Sequence, residues 1–107
     1  MLDFNRYQIE TRKTKIYSDD IIYPSLGLSG EVGELMHQIK KIYRDDNGKI
    51  NFVRKQNLTK EIGDVMWYIA RVADDLNIDL TEAVELNLKK LNSRMERGKI
   101  GGSGDYR

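Results

Sequence analysis

The side chains best placed to do chemistry lie in two runs, Glu31-Val32-Gly33-Glu34-Leu35-Met36 and Glu61-Ile62-Gly63-Asp64-Val65-Met66. The runs match position for position at an offset of thirty, every difference is conservative, and Ile39 and Ile69 extend the register. At ~100° per residue, Glu31 and Glu34 fall on one edge of a helical apolar stripe, and Glu61 and Asp64 fall on the same edge of theirs. Two such helices packed about a local pseudo-two-fold axis bring four carboxylates to one margin. Carboxylates held that close repel, so the fold must raise some of their pKa values or recruit a cation. The chain has no cysteine and one histidine, so the donors are oxygens and hard Mg²⁺ or Mn²⁺ is favoured over zinc or copper. Either motif alone is ordinarily a solvated helix face. Repetition changes that balance, as does a mid-helix glycine, Gly33 and Gly63, in both copies, each costing ~1 kcal/mol relative to alanine. Close helix approach, or access for a ligand, are the physical reasons for accepting that cost.

The elements that must position these acids are helical. Leu28, Val32, Leu35, Met36, Ile39, Ile42 and Tyr43 recur at three- and four-residue steps, as do Ile62, Val65, Met66, Ile69, Val72, Ala73 and Leu76. A third stripe, Leu80, Ala83, Val84, Leu88, Leu91 and Met95, follows a break at Asn77-Ile78, and Asp79 with Glu82 reads as a capping box. Residues 4–17 form a weaker candidate, entered after Asp3. Pro24 makes residues 21–25 a connector, and Asp45-Asp46-Asn47-Gly48 begins a loop that extends to Gln56. From Gly98 onward, glycines at 101, 102 and 104 predict a flexible tail over 98–107. Nothing alternates with period two, so the fold class is all-α, a short four-helix bundle in one domain spanning 1–107.

Composition narrows the classes. The chain has 107 residues, 18 basic and 17 acidic, with a net charge of +1 and 39% hydrophobic residues. That is enough for one modest core and too balanced for a nucleic-acid-binding field. Disulfides, thiolate metal sites and cysteine nucleophiles are excluded. No apolar run approaches a membrane span and Asp3, Asn5, Arg6 and Gln8 do not suit a signal peptide, so a reducing cytoplasm fits.

Gly27-x-x-Gly30-Glu31-x-x-Glu34 followed by Glu61-x-x-Asp64-Val65-x-Trp67-Tyr68 resembles the MazG-type nucleotide pyrophosphohydrolases of the all-α nucleoside triphosphate pyrophosphatase superfamily. Asn87-Leu88-x-Lys90-Leu91-x-x-Arg94 and Gly104-Asp105-x-Arg107 add to the similarity, which covers roughly residues 26–107. The resemblance implies Mg²⁺-dependent cleavage of a nucleoside triphosphate between the α- and β-phosphates, with Glu31, Glu34, Glu61 and Asp64 as metal ligands. It also implies a homodimer or homotetramer whose active sites use neighbouring chains, and a role in nucleotide-pool house-cleaning.

A triphosphate needs basic partners as well as metal. Asn87, Lys90, Arg94 and Arg97 share one face at three- or four-residue steps, and the alternative for them is a solvated basic flank. Lys41 and Arg71 are equivalent in the repeat, each suited to phosphate or to an acid. Glu34 and Glu61 are candidates for taking the proton of attacking water. Trp67 can stack on a base or serve in the core, and Lys99 and Arg107 can close over phosphates. Two rivals differ in class. Glu34-x-x-His37 has di-iron spacing, but Trp67 stands where the repeat needs a second histidine. A non-enzymatic helical interaction protein would use the same stripes without the acids. Related phosphoribosyl-ATP pyrophosphohydrolases and deoxyuridine triphosphatases share the chemistry with other substrates.

Overall fold

Local capping decides where each helix begins. The computed structural model describes residues 1–18 and 20–107, and among these it forms four α-helices and no strand. Helix α1 (Phe4–Glu10) starts where the Asp3 carboxylate accepts the Arg6 amide at 2.7 Å, and runs into a 3-10 turn, Thr11–Thr14. Helix α2 spans Ile22–Asp45. Pro24 therefore lies inside the helix rather than in a connector: it occupies the first turn, where an amide hydrogen would have no intrahelical partner. Helix α3 spans Phe52–Asp75, and the loop expected to reach Gln56 ends instead at Asn51, whose side chain accepts the Arg54 amide at 2.9 Å. Helix α4 spans Leu80–Glu96, with Asp79 capping the amides of Thr81 and Glu82.

Helix ends are equally specific. Asn77 adopts φ 57° and Gly98 φ 68°. Each follows the last turn of a helix, with the next amide bonded five residues back, Ile78 to the Ala73 carbonyl at 2.8 Å and Lys99 to the Arg94 carbonyl at 2.6 Å. These are Schellman ends, which tolerate Asn and favour Gly at the left-handed position.

The two long helices form a hairpin, α2 along α3, and this is the body of the molecule. Helix α1 and the 3-10 turn lie across α3. Gln8 fixes them there, donating to the Ile78 carbonyl at 2.7 Å and accepting the Leu80 amide at 3.0 Å. The buried centre consists of Ala70, Ala73 and Leu80, with Tyr7 and Ile69 packed against it.

Helix α4 touches α1 and α3 but, among the described residues, not α2. Its apolar stripe is accordingly not buried as expected: Leu88 and Met95 are 59% and 64% exposed. Val32, Met36 and Tyr43 of α2 are exposed too. The radius of gyration is 16.8 Å, where a compact chain of this length takes about 13 Å. Gly33 and Gly63 do not mark close helix contacts either, since a Cβ at either would meet no atom within 4 Å.

Candidate metal centre

Packing of α2 on α3 sets Glu31 of the first acidic run against both acids of the second. Glu31, Glu61 and Asp64 each place one carboxylate oxygen so that all three lie within 4.8 Å of one another. Burial pushes the Glu31 carboxyl above its ordinary value, and the charges of Asp64 and Glu61, a hydrogen bond to Glu61 and the charge of Glu34 push it the same way. Like charges brought this close favour either a proton on Glu31 or a cation among the three carboxylates. The donors are all hard oxygens, which suits a divalent ion of the Mg²⁺ class. Glu34 is exposed and lies outside this trio, one turn further along α2.

Aromatic side chains brace the cluster. Tyr68, one turn after Asp64, lies against α2 at Gly27, one turn before Glu31; a Cβ at residue 27 would overlap the ring. Burial raises the Tyr68 phenol above its usual value, followed by Tyr23 and the charges of Glu31 and Asp64. Burial and then Asp64 do the same to Tyr7. Sequence reasoning passed over this interlock. Its one signal was a glycine inside an apolar helical segment, Leu26-Gly27-Leu28.

The expected substrate contacts are dispersed. Lys41 lies about 15 Å along α2 from Glu31 at the helical rise, where its charge acts on Asp45. Arg71 takes the acid-pairing role. Its guanidinium is buried, with Nη1 donating to Asp74 at 3.0 Å and Thr11 at 3.2 Å, and Nη2 donating to Asp75 at 2.7 Å. Trp67 donates from Nε1 to the Thr14 hydroxyl at 2.9 Å and packs edge-on against Tyr68, so its indole is engaged with the 3-10 turn.

Asn87, Lys90 and Arg94 lie on α4 and Arg97 caps its end; among the described residues the three cations pair elsewhere than with the acidic trio. Three of them bind the segment after α4. Lys90 reaches the Asp105 carboxylate at 2.9 Å, Arg94 the Asp105 carbonyl at 2.8 Å, and Arg97 the Arg107 carbonyl at 2.7 Å. Arg107 in turn donates to the carbonyls of Lys99, Ile100, Gly101 and Gly104.

Comparison with known proteins places the chain in a family. The chain is 42% identical over 109 residues to the Gene 37 protein of Mycobacterium phage L5, covering 94% of this chain and 96% of the phage protein. No solved structure matches it. The family model of the MazG nucleotide pyrophosphohydrolase domain matches residues 25–98, from the turn before Gly27 to the end of α4, and the chain belongs to that family.

Proposed function

We propose that this protein is a divalent-metal-dependent pyrophosphohydrolase that converts a (deoxy)nucleoside triphosphate to the monophosphate and pyrophosphate. The observation that carries the proposal is the meeting of Glu31, Glu61 and Asp64 on the α2–α3 hairpin of a chain in the MazG family. Glu31, Glu61 and Asp64 hold Mg²⁺, with Mn²⁺ as substitute, and Glu34 extends the ligand set from the next turn. When bound, the ion supplies Lewis-acid stabilisation of charge developing on the phosphates. In the reaction, water oxygen bonds to the α-phosphorus in line with the departing pyrophosphate, the α–β bridging bond breaks, and a carboxylate of Glu34 or Glu61 accepts the proton.

The chain alone supplies half of such a site. Its accessible surface is 7995 Å², whereas a folded monomer of its 12.4 kDa exposes about 6,100 Å². A second copy laid on the apolar faces of α2 and α4 covers the excess, as a homodimer or a pair of dimers. The same contact carries the Asn87–Lys90–Arg94–Arg97 face of one copy to the acids of the other. Lys41 and Trp67 are the remaining candidates for substrate contact. Among the described residues no helix is long and apolar enough to cross a membrane, and nucleotide-pool house-cleaning is the role we propose for the reaction.

The deciding experiment offers the purified protein each common and damaged (d)NTP with Mg²⁺ and identifies the products. Pyrophosphate with the monophosphate supports the proposal and names the base. Orthophosphate alone means a different bond is cut. No turnover of any nucleotide, in protein that also takes up no Mg²⁺ or Mn²⁺ by calorimetry, returns the chain to a helix-binding module.

A further inference from the structure

The cation pair on α4 already has an anion. Lys90 Nζ holds Asp105 Oδ1 at 2.9 Å and Arg94 Nη2 lies 3.4 Å from the same oxygen. The Arg94 guanidinium is 96% buried, and its Nε is enclosed with no acceptor. A buried donor of that kind is costly to leave unmade, and neither the Asp105 carboxylate nor the Gly104 and Asp105 carbonyls, which Nη2 also binds at 3.3 and 2.8 Å, reaches it. A phosphate presents three acceptor oxygens and more charge, and binds a guanidinium in a bidentate fork. The Asp105 contact is also weakly held. Its side chain is 75% exposed, exposed ion pairs contribute little, and the segment that carries it turns on Gly102 and Gly104 at φ 91° and 87°.

We propose that residues 98–107 form a self-bound latch in which the Asp105 carboxylate holds the Lys90–Arg94 pair in place of a phosphate, and that a polyphosphate takes the pair by displacing it. This rests on the reading of α4 as the phosphate-holding face. Released, Asp105 gives up both cations, Arg94 gains an acceptor for Nε, and the glycine segment swings clear. Binding of the nucleotide and ordering of the segment are then mutually exclusive, so the latch sets how much triphosphate is needed for occupancy without entering the reaction.

The test uses the full chain in EDTA and inorganic tripolyphosphate, followed by calorimetry and by the amide NMR signals of Gly101, Gly102 and Gly104. In the wild type, saturation moves these signals to mobile, random-coil positions. Asp105→Asn, a change on the exposed surface, binds tripolyphosphate about 2–5-fold tighter, the size of one surface ion pair, and Lys90→Gln loses binding in either background. Unchanged or weaker binding by Asp105→Asn overturns the latch, as do glycine signals that stay put at saturation, or no binding by any variant. Nucleotide hydrolysis is scored separately with Mg²⁺. Displacement without hydrolysis leaves the latch and removes the enzymatic reading, and hydrolysis with a fixed segment does the reverse.

Discussion

The ring of Tyr68 occupies the volume that a side chain on Gly27 would need, so that α3 rests on the bare backbone of α2 at that point. Gly27 lies one turn before Glu31 and Tyr68 one turn after Asp64, so this interlock sits one turn along each helix from the acidic trio. It fixes how far apart the two helices stand where their carboxylates meet.

Gly27→Ala therefore has opposite signs in two backgrounds. In the wild type the new methyl must push the ring aside, an overpacking cost of about 1–3 kcal/mol. In Tyr68→Ala the space is free, and alanine gains up to ~1 kcal/mol over glycine within a helix. Denaturant unfolding of the four proteins in this cycle measures the coupling. Equal destabilisation in both backgrounds would mean that the ring does not rest there.

Glu31→Gln should make the protein more stable without metal and less active with it. Glu31 titrates above the ordinary carboxylate value in the fold, so its ionisation opposes folding. That opposition is absent below the unfolded pKa of about 4.3 and complete above the raised folded value. Thermal melts in EDTA should then show the variant above the wild type at pH 7, with the gap closing as pH falls below about 4. Saturating Mg²⁺ should reverse the order at pH 7. Hydrolysis should drop ~100-fold or more, because the electrostatic stabilisation lost is several kcal/mol. A variant no more stable than wild type at pH 7 in EDTA would remove the repulsion argument.

Helix identity and the acidic pairs were legible because both are written in local periodicity: three- and four-residue apolar steps, and an E-x-x-E and E-x-x-D repeated at the same edge. Helix starts were less so. Pro24 and Asn51 each suit more than one place, and only the first-turn position of one and the cap hydrogen bond of the other decide between them. Least legible was anything joining distant stretches. Lys41 and Arg71 look equivalent in the repeat, yet Arg71 is buried because Thr11, Asp74 and Asp75 surround it. The apolar stripe of α4 predicts burial but not what covers it, and within one chain α4 lies away from α2.

The Arg71 cluster clamps the 3-10 turn and Tyr17 to the end of α3. Arg12 forks onto Asp74 at 3.0 and 2.8 Å, and Tyr17 donates to Asp75 at 2.5 Å. Removing the buried cation leaves these acids poorly matched, so Arg71→Met should cost about 3–5 kcal/mol, read by urea unfolding. The Arg12 hydrogen bond, opposed by burial and aided by Arg71, holds Asp74 below its usual value. Stability from that source is full above the unfolded pKa of about 3.9 and is lost as pH falls through the lower folded value. The difference between wild type and Asp74→Asn should stay constant from pH 7 to about 5 and vanish in stronger acid. A difference that persists undiminished at the acid end would assign the effect to packing instead.

A second copy of the chain tests most directly by complementation. Leu88→Glu should yield a monomer by light scattering with its helix content retained, since Leu88 is 59% exposed and outside the buried centre. Hydrolysis should disappear with the association, because Lys90 and Arg94 do not reach Glu31, Glu61 and Asp64 of their own chain. Glu61→Gln and Lys90→Gln should each be inactive alone. If each site takes its acids from one copy and its cations from the other, mixed dimers hold one site free of both substitutions, and an equal mixture regains up to about a quarter of wild-type activity by statistical pairing. No recovery after the chains have exchanged would put acids and cations of one chain in one site, and α4 would then have to fold back onto its own hairpin.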